Sequence, residues 1–504
     1  MAKPSELPTL DFHDQALIGH VHPVDWVNPT PASRYHLVVV GGGTAGLIAA
    51  SFAAGAGARV ALVERHLMGG DCLNVGCVPS KSLLRSSRVY AELRDAAALG
   101  WLVADGYEAD FEAVMTRLRQ IRTRISLKDS AARYRDEKGI DVFLGPARFT
   151  SGTTIDVSGA SLRFRRAVIA TGAGPARLPV PGLADVGYLT NETVFNLTRR
   201  PSRLAVVGAG PAGAELAQAF RRLGSDVTLL EKADNILGLE DHDAAAVLQE
   251  ELERDGVRVE VGCHVDRVEF QEGDKVIHFS SGKKPVLRVD EILVTAGRLP
   301  NTDGLGLEAA GVNYSQDGVT VDDCLQTSNP RVYAAGDVCL AWKFTHAAEM
   351  AAQLAVQNAL FPVRRRLSTL TIPRCIYTDP EVAHVGISSH QAKTKGEVVT
   401  HTHHLRDVDR AVTDGKEIGF VRIHTRKGSD EILGATIVAA HAGEMISELT
   451  LAMDAHLGLR KIATVVHPYP TYADSLRRVA LQHTVSRVTP LVRRLLGLWF
   501  KLTG

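Results

Sequence analysis

A chain of 504 residues is too long for one hydrophobic core, so three or four domains are the expectation. Its 57 basic and 57 acidic residues balance, and 45% hydrophobic with 23% charged content is that of an ordinary globular protein with no electrostatic footprint for nucleic acid. Six cysteines are too sparse for a secreted disulfide scaffold, the N-terminus lacks an apolar signal core and no run is long enough to span a bilayer, which points to a cytoplasmic protein.

Residues 1–34 show no strong periodicity, and residues 21–31 read as an extended, proline-punctuated arm, expected to lie as a strap on the following domain. Residues 36–40 are an apolar, β-branched run with the length of a buried parallel strand. They lead into Gly41, Gly42, Gly43, Thr44, Ala45 and Gly46 and then an alanine-rich helix. Glycines there let the backbone approach a pyrophosphate, whose charge a helix N-terminus favours. A second strand over residues 59–63 ends at Glu64, beside Arg65, with the acid placed for a ribose hydroxyl. Strand, glycines, helix, strand and terminal acid in that order predict a dinucleotide site.

The next stretch is Gly69-Gly70-Asp71-Cys72-Leu73-Asn74-Val75-Gly76-Cys77-Val78-Pro79-Ser80-Lys81. A bridge between two cysteines at this spacing would need a distorted helix start, because a disulfide requires Cα atoms within about 4.4–6.8 Å. Gly76 and Pro79 permit such distortion. Lys81 follows Cys77 by four residues and shares its helical face, where a cation and a helix N-terminus favour thiolate. The bland alternative is a pair of buried structural cysteines. The stretch resembles the redox-active motif of the flavin-dependent pyridine nucleotide-disulfide oxidoreductases, the family of dihydrolipoamide dehydrogenase, glutathione reductase and mercuric reductase. That resemblance implies FAD at the first site, touching Gly70 and Asp71 as well as the glycine turn. It makes Cys77 the charge-transfer thiolate facing the flavin, Cys72 the interchange thiol, and Lys81 a neighbour of flavin N5.

A second copy follows. Strands over residues 202–207 and 226–230 flank Gly208-Ala209-Gly210-Pro211-Ala212-Gly213, and the second ends at Glu231; in both copies the acid lies 23 positions after the first glycine (41 to 64 and 208 to 231). Two domains of like construction are predicted, the second for NADH or NADPH. Glu231 would repel a 2′-phosphate and favours NADH, while Lys232 beside it leaves NADPH open. By resemblance Glu215 pairs with Lys81; its alternative is a solvated helix charge. Thr171 and Gly172, and likewise Gly297 and Arg298, lie in stretches similar to the family's crossovers between its dinucleotide domains. Residues 333–338 resemble the second FAD fingerprint, with Asp337 on the ribityl chain. His346 resembles the helix start lying against the flavin pyrimidine, and Ala147 a backbone contact to the adenosine.

The substrate side departs from the family's thiol-disulfide members, in which a histidine precedes Pro-Thr and an acid four residues after that proline orients it. Aligning on Pro470-Thr471 and Asp474 puts Tyr469 in the base position, and tyrosine, with a pKa near 10, is a poor proton acceptor at pH 7. His467 could substitute. Mercuric reductases are similar here, and a thiolate pair suits soft Hg(II). Residues 491–504 carry no cysteine, whereas those enzymes usually end in a vicinal pair. Leu491, Leu495, Trp499 and Leu502 recur there at near-helical spacing among Arg493, Arg494 and Lys501, either as an interfacial helix or as a cover for the dimer domain.

The expected fold is α/β, with two Rossmann-like FAD- and NAD(P)-binding domains plus a C-terminal α+β dimerisation domain. Boundaries fall at 1–34 for the extension, 35–190 and 311–365 for the FAD domain, 191–310 for the NAD(P) domain, 366–486 for the dimerisation domain and 487–504 for a basic amphipathic tail. The resemblance implies a homodimer with active sites shared across its interface. Electrons would pass from nicotinamide through flavin to Cys72 and Cys77 and on to a small acceptor, with no structural metal and Hg(II) bound only transiently by that pair. A dihydrolipoamide dehydrogenase using His467, and a redox-sensing or membrane-associated flavoprotein, remain alternatives.

Overall fold

Strand β1 (Tyr35–Val40) is buried along nearly its whole length, as a central parallel strand must be. It pairs in parallel with β2 (Val60–Glu64) on one side and with β6 (Ala160–Ile169) on the other. β3 (Asp141–Leu144) extends the sheet beyond β2, and Val332–Ala334 also joins β6 in parallel. β4 (Ala147–Ser151) and β5 (Thr154–Val157) continue it as an antiparallel meander onto β6. Leu37 and Val39 pack on one face with the alanine-rich helices Thr44–Gly55 and Thr345–Leu360, while Val38 and Val40 pack on the other with Phe143, Phe149 and Phe164. This period-two division of apolar side chains is what covers both faces of the sheet.

The computed structural model describes residues 11–104, 106–280, 286–486 and 490–503. It divides into two units, one of residues 1–208, 219–227 and 265–370, the other of residues 209–218, 228–264 and 371–504. The first holds the sheet just described. It also holds α1 (Phe12–Val21), a helix in the stretch that showed no periodicity. The signal was local: Asp11 caps it, accepting from the N–H groups of His13 at 2.8 Å and Asp14 at 3.0 Å. Its buried positions are Asp14, Leu17 and Val21, so a charged residue interrupts the apolar stripe that periodicity would reveal. The arm that follows does lie as a strap on this unit, Trp26 Nε1 donating to Val142 O and Asn28 pairing with both backbone groups of Leu144.

The second unit carries a five-stranded antiparallel sheet in the order Arg374–Ile376, Glu381–Gly386, Ile432–Ala439, Phe420–Arg426, Val398–His404. Helices Ala442–Asp454, Leu459–Thr464 and Asp474–Ser486 contribute to its core. His384 and His424 are 1% and 0% exposed within it, with Nδ1 at 2.9 Å from the Thr436 and Thr400 hydroxyls respectively. Burial pushes both rings down to about 4; Arg374 adds to this at His384 and Arg422 at His424, while Asp241 opposes it at both and Asp243 at His424. An unfolded histidine takes up its proton near pH 6.5, so between about pH 6.5 and 4 the unfolded chain binds more protons and stability falls as pH falls. Each ring contributes a loss on the order of 3 kcal/mol by pH 4. Calorimetry across this window should show the melting temperature dropping, with a shallower slope in His424→Asn; equal slopes would refute the assignment.

Candidate active site

The first glycine turn joins β1 to α2 (Thr44–Gly55). Gly41 has φ +108°, and a Cβ there would lie 2.3 Å from Ala170 O. A Cβ on Gly46 would sit 1.7 Å from Gly41 O, so only glycine lets α2 start this close to the strand. Glu64, at the end of β2, accepts from Gly42 N at 2.6 Å through one oxygen and from His66 N at 2.7 Å through the other. Burial pushes its carboxyl up, against these two hydrogen bonds. The exposed Arg65 follows it. Gly145 N donates to Glu64 O at 2.8 Å, and Ala147, the first residue of β4, follows two residues after Gly145.

The second turn repeats the pattern atom for atom at its acid. Glu231 accepts from Ala209 N at 2.7 Å and from Ala233 N at 2.9 Å, the counterparts of Gly42 and His66. Gly208 has φ +104°, and its carbonyl accepts from the Thr295 hydroxyl at 2.8 Å. Gly210 has open space where a Cβ would be, Pro211 opens the helix Pro211–Arg222, and Gly213 is buried on it. Strand Arg203–Val207 pairs in parallel with Glu291–Val294, and Asp226–Leu230 with Arg258–Glu260. Two glycine cradles, each closed by an acid that orders the turn's own N–H groups, fit two dinucleotides.

The cysteine stretch is two helices, not one distorted start. α3 (Gly70–Asn74) carries Cys72, and α4 (Cys77–Asp95) begins on Cys77. Gly76 breaks them apart at φ −135°, ψ −114°, and a Cβ there would meet Asp71 O at 2.8 Å. The turn hangs directly on the first phosphate cradle: Gly69 N donates to Gly42 O at 2.8 Å, and a Cβ on Gly70 would come within 2.6 Å of Gly43 Cα. Cys77 Sγ lies 3.2 Å from the hydroxyl of Thr345, which opens the helix Thr345–Leu360. A thiolate on Cys77 sits at the positive end of α4. The Cys72 thiol is pushed up, first by its hydrogen bond with Cys77 and then by burial. Lys81 stands one turn further along α4.

Arg298 locks this turn to the rest of the unit. It pairs with Asp71, donates to Ala173 O, and reaches Asp337 through Nε at 3.4 Å. Burial works against its charge, but Asp71, Asp337 and Glu192 hold its pKa above the usual value. Asp337 is pushed up by burial, with Arg298 and Lys343 opposing. The two crossover stretches meet: the Thr171 hydroxyl donates to Asn301 O at 2.7 Å, Asn301 Nδ2 returns a bond to Thr171 O at 2.9 Å, and Arg298–Pro300 pairs with Ala173–Pro175. Gly172 and Gly297 take φ of +68° and +90° to make the junction. His346 stacks on Phe344 with ring centroids 5.5 Å apart. The Thr345 contact with the sulfur and the central place of Arg298 were not foreseen; each depends on residues more than 200 positions apart.

Glu215, in the other unit, is 4% exposed and accepts from Tyr377 N at 2.9 Å, so it is not a solvated helix charge. There too lie the substrate-side residues. Tyr469 is exposed and its hydroxyl donates to Asp409 at 2.8 Å, which raises its pKa. Asp474 gives one oxygen to Arg477 and the other to Arg478, each at 2.9 Å. It therefore orients arginines, not Tyr469 or His467. The His467 ring faces Glu448 through Nε2 at 3.1 Å and Val465 O through Nδ1 at 3.2 Å, so both nitrogens are directed at oxygens.

The chain matches the pyridine nucleotide-disulphide oxidoreductase family over residues 35–357 and that family's dimerisation domain over residues 372–480. A mercuric reductase of Lysinibacillus sphaericus is 34% identical over 451 residues, 89% of this chain and 82% of that protein. A dihydrolipoyl dehydrogenase of Chlamydia muridarum is 33% identical over 454 residues, 89% of this chain and 96% of the other. The solved Cu(II) complex of the HOCl-induced flavoprotein disulfide reductase RclA from Escherichia coli has a TM-score of 0.80 at 27% identity, covering 90% of this chain and all of that one. Family membership brings FAD, a pyridine nucleotide and a homodimer formed through the second match. With its two glycine cradles, its cysteine pair seated on the first of them and both family models matched, this chain belongs to the pyridine nucleotide-disulphide oxidoreductase family.

Proposed function

We propose that the protein takes electrons from NADH, with NADPH a poorer donor, and delivers them from Cys72 and Cys77 to a soft metal ion of the Hg(II) type, not to a dithiol's disulfide. The observation that carries this reading is the substrate side: Tyr469 donates to a carboxylate, Asp474 is committed to two arginines, and His467 has both ring nitrogens against oxygens. Disulfide interchange needs a base there to take and return the thiol proton, whereas two thiolates bind a soft ion without one. The mercuric reductase relatives and the Cu(II)-bound neighbour support the same reading. Glu231, whose carboxylate would face a 2′-phosphate, supports NADH.

FAD, when bound, supplies the two-electron relay between nicotinamide and the cysteine pair. The first cradle, with Glu64 and Asp337, would hold it, with Ala147 and His346 at its adenosine and pyrimidine ends. Reduction of the Cys72–Cys77 disulfide breaks the S–S bond and takes up two electrons and one proton, which stays on Cys72. Thr345 and the N-terminus of α4 hold the resulting charge on Cys77, next to Lys81. Hg(II) displaces the Cys72 thiol proton and is held between the sulfurs; a second NADH supplies the two further electrons that release it as the metal and restore the thiol and thiolate. Overall NADH and Hg(II) give NAD⁺, one proton and Hg(0). Mercury vapour measured over purified enzyme with NADH and thiol-complexed Hg(II) tests this. Sustained release supports it; flavin reduction by NADH without vapour, alongside turnover of dihydrolipoamide, would instead support the dehydrogenase with His467.

One further observation supports peripheral membrane contact. Helix Pro490–Thr503 has no buried residue, and on a helix of about 3.6 residues per turn Arg493, Arg494 and Lys501 share one face while Leu491, Leu495, Trp499 and Leu502 take the opposite one. A polar face that is wholly cationic suits anionic headgroups. No helix among the described residues is long and apolar enough to cross a membrane. The protein should co-sediment with phosphatidylglycerol vesicles and not with phosphatidylcholine ones, losing most binding without residues 490–504. A truncation that instead changes the oligomeric state would assign the helix to a second copy.

A further inference from the structure

The redox turn is held from outside by the N-terminal helix. Arg122, on α5 (Phe111–Ser126), pairs through Nη2 with Asp14 of α1 and donates through Nη1 to Asn74 O at 2.9 Å. Asn74 is one of the four residues between Cys72 and Cys77. Asp14 and Arg122 are 4% and 5% exposed, so this carbonyl is gripped by a buried guanidinium whose orientation is set by a buried carboxylate. The far end of α1 holds the turn's other side, Val21 O accepting from Met68 N at 3.2 Å, one residue before Gly69. Asn74 itself closes the loop, its Nδ2 donating to Met68 O at 3.1 Å and Gly70 O at 2.8 Å. The matched family segment begins at residue 35, after this helix.

A buried ion pair adds little net stability, because desolvation offsets the attraction. Here Asp14 Oδ2 and Arg122 Nε have no hydrogen-bond partner among the described residues, which weakens any purely stabilising account further. What the pair does set is direction: with Nη2 on Asp14, Nη1 points at the peptide between the cysteines. We propose that Asp14 is a positioning residue for the redox reaction, acting through Arg122 and Asn74 O to hold Cys72 and Cys77 at bridging separation and so setting the potential of their disulfide. The inference rests on the redox reading of this pair. Loosening the brace lowers the concentration of each sulfur at the other, so the disulfide forms less readily and is reduced more easily.

The start of the same helix contains the control. Asp11 pairs with Arg119 at 2.7 Å, one turn earlier on α5, and Arg119 Nη1 has no partner among the described residues, so this pair ties α1 down without gripping the turn. The FAD-loaded full chain and its Asp14→Asn and Asp11→Asn variants are equilibrated in glutathione buffers, where two thiols of glutathione give the electron pair and protons that open the bridge, and the dithiol fraction is read by alkylation and mass spectrometry. Asp14→Asn should shift the midpoint about tenfold towards dithiol, about +30 mV for a two-electron couple, and Asp14→Glu should recover part of it. Asp11→Asn should leave the midpoint in place even where it lowers the melting temperature. Equal shifts in both variants, or none in Asp14→Asn, would overturn the brace. A wild-type chain that forms no Cys72–Cys77 disulfide in any buffer would instead bring down the redox reading itself.

Discussion

Gly46→Ala should be purified with little or no flavin. The new Cβ would lie 1.7 Å from Gly41 O, a backbone atom fixed between strands, so α2 must move off β1 by more than an ångström. Overpacking of this kind costs about 1–3 kcal/mol where side chains can yield, and here the obstacle is backbone. The shift would also open the contact between Gly43 and Gly70, so the phosphate cradle and the cysteine turn would be lost together. The measurement is the ratio of flavin to protein absorbance, with the melting temperature beside it. Gly55→Ala, in the same helix with nothing within 4 Å of its Cβ, should keep full flavin and gain up to about 1 kcal/mol. Wild-type flavin content in Gly46→Ala would mean that close helix–strand packing does not decide cofactor binding.

Cys77→Ser should abolish electron delivery to Hg(II), by at least about three orders of magnitude, while NADH still bleaches the flavin absorbance. Cys77 is the first residue of α4 and lies against Thr345, and in the proposed mechanism it carries the charge of the reduced pair. A serine hydroxyl there neither bridges to Cys72 nor binds a soft ion. Cys72→Ser should lose turnover as well, yet keep a thiolate at the helix start, visible as a long-wavelength absorbance of the oxidised protein that Cys77→Ser lacks. Retained turnover in either variant would show that electrons leave the flavin by another route. That outcome would remove the cysteines from the mechanism and leave the family's cofactors in place.

The two dinucleotide turns could be read directly from the chain because everything they need is local. A strand, glycines at set intervals, a helix and an acid 23 positions on are one continuous segment, and the structure adds only that each acid ties down its own turn, Glu64 at Gly42 and Glu231 at Ala209. The strands over residues 226–230 and around 203–207 fall where periodicity puts them. α1 escaped because its buried face includes Asp14, a charge that makes sense only opposite Arg122, 108 residues away. The distortion expected at Gly76 is a full break between α3 and α4, where a Cβ would meet the carbonyl of Asp71 five positions earlier.

The sequence by itself determined the family, both cofactor cradles and the cysteine pair, because short-range backbone geometry and residue chemistry are written in consecutive positions. Only the tertiary structure decided what surrounds the sulfurs and what the substrate-side groups are free to do. Thr345 reaches Cys77 across 268 positions, Arg298 reaches Asp71 across 227, and Tyr469 donates to Asp409 across 60. A side chain's partner depends on which elements pack together, and no spacing along the chain records that.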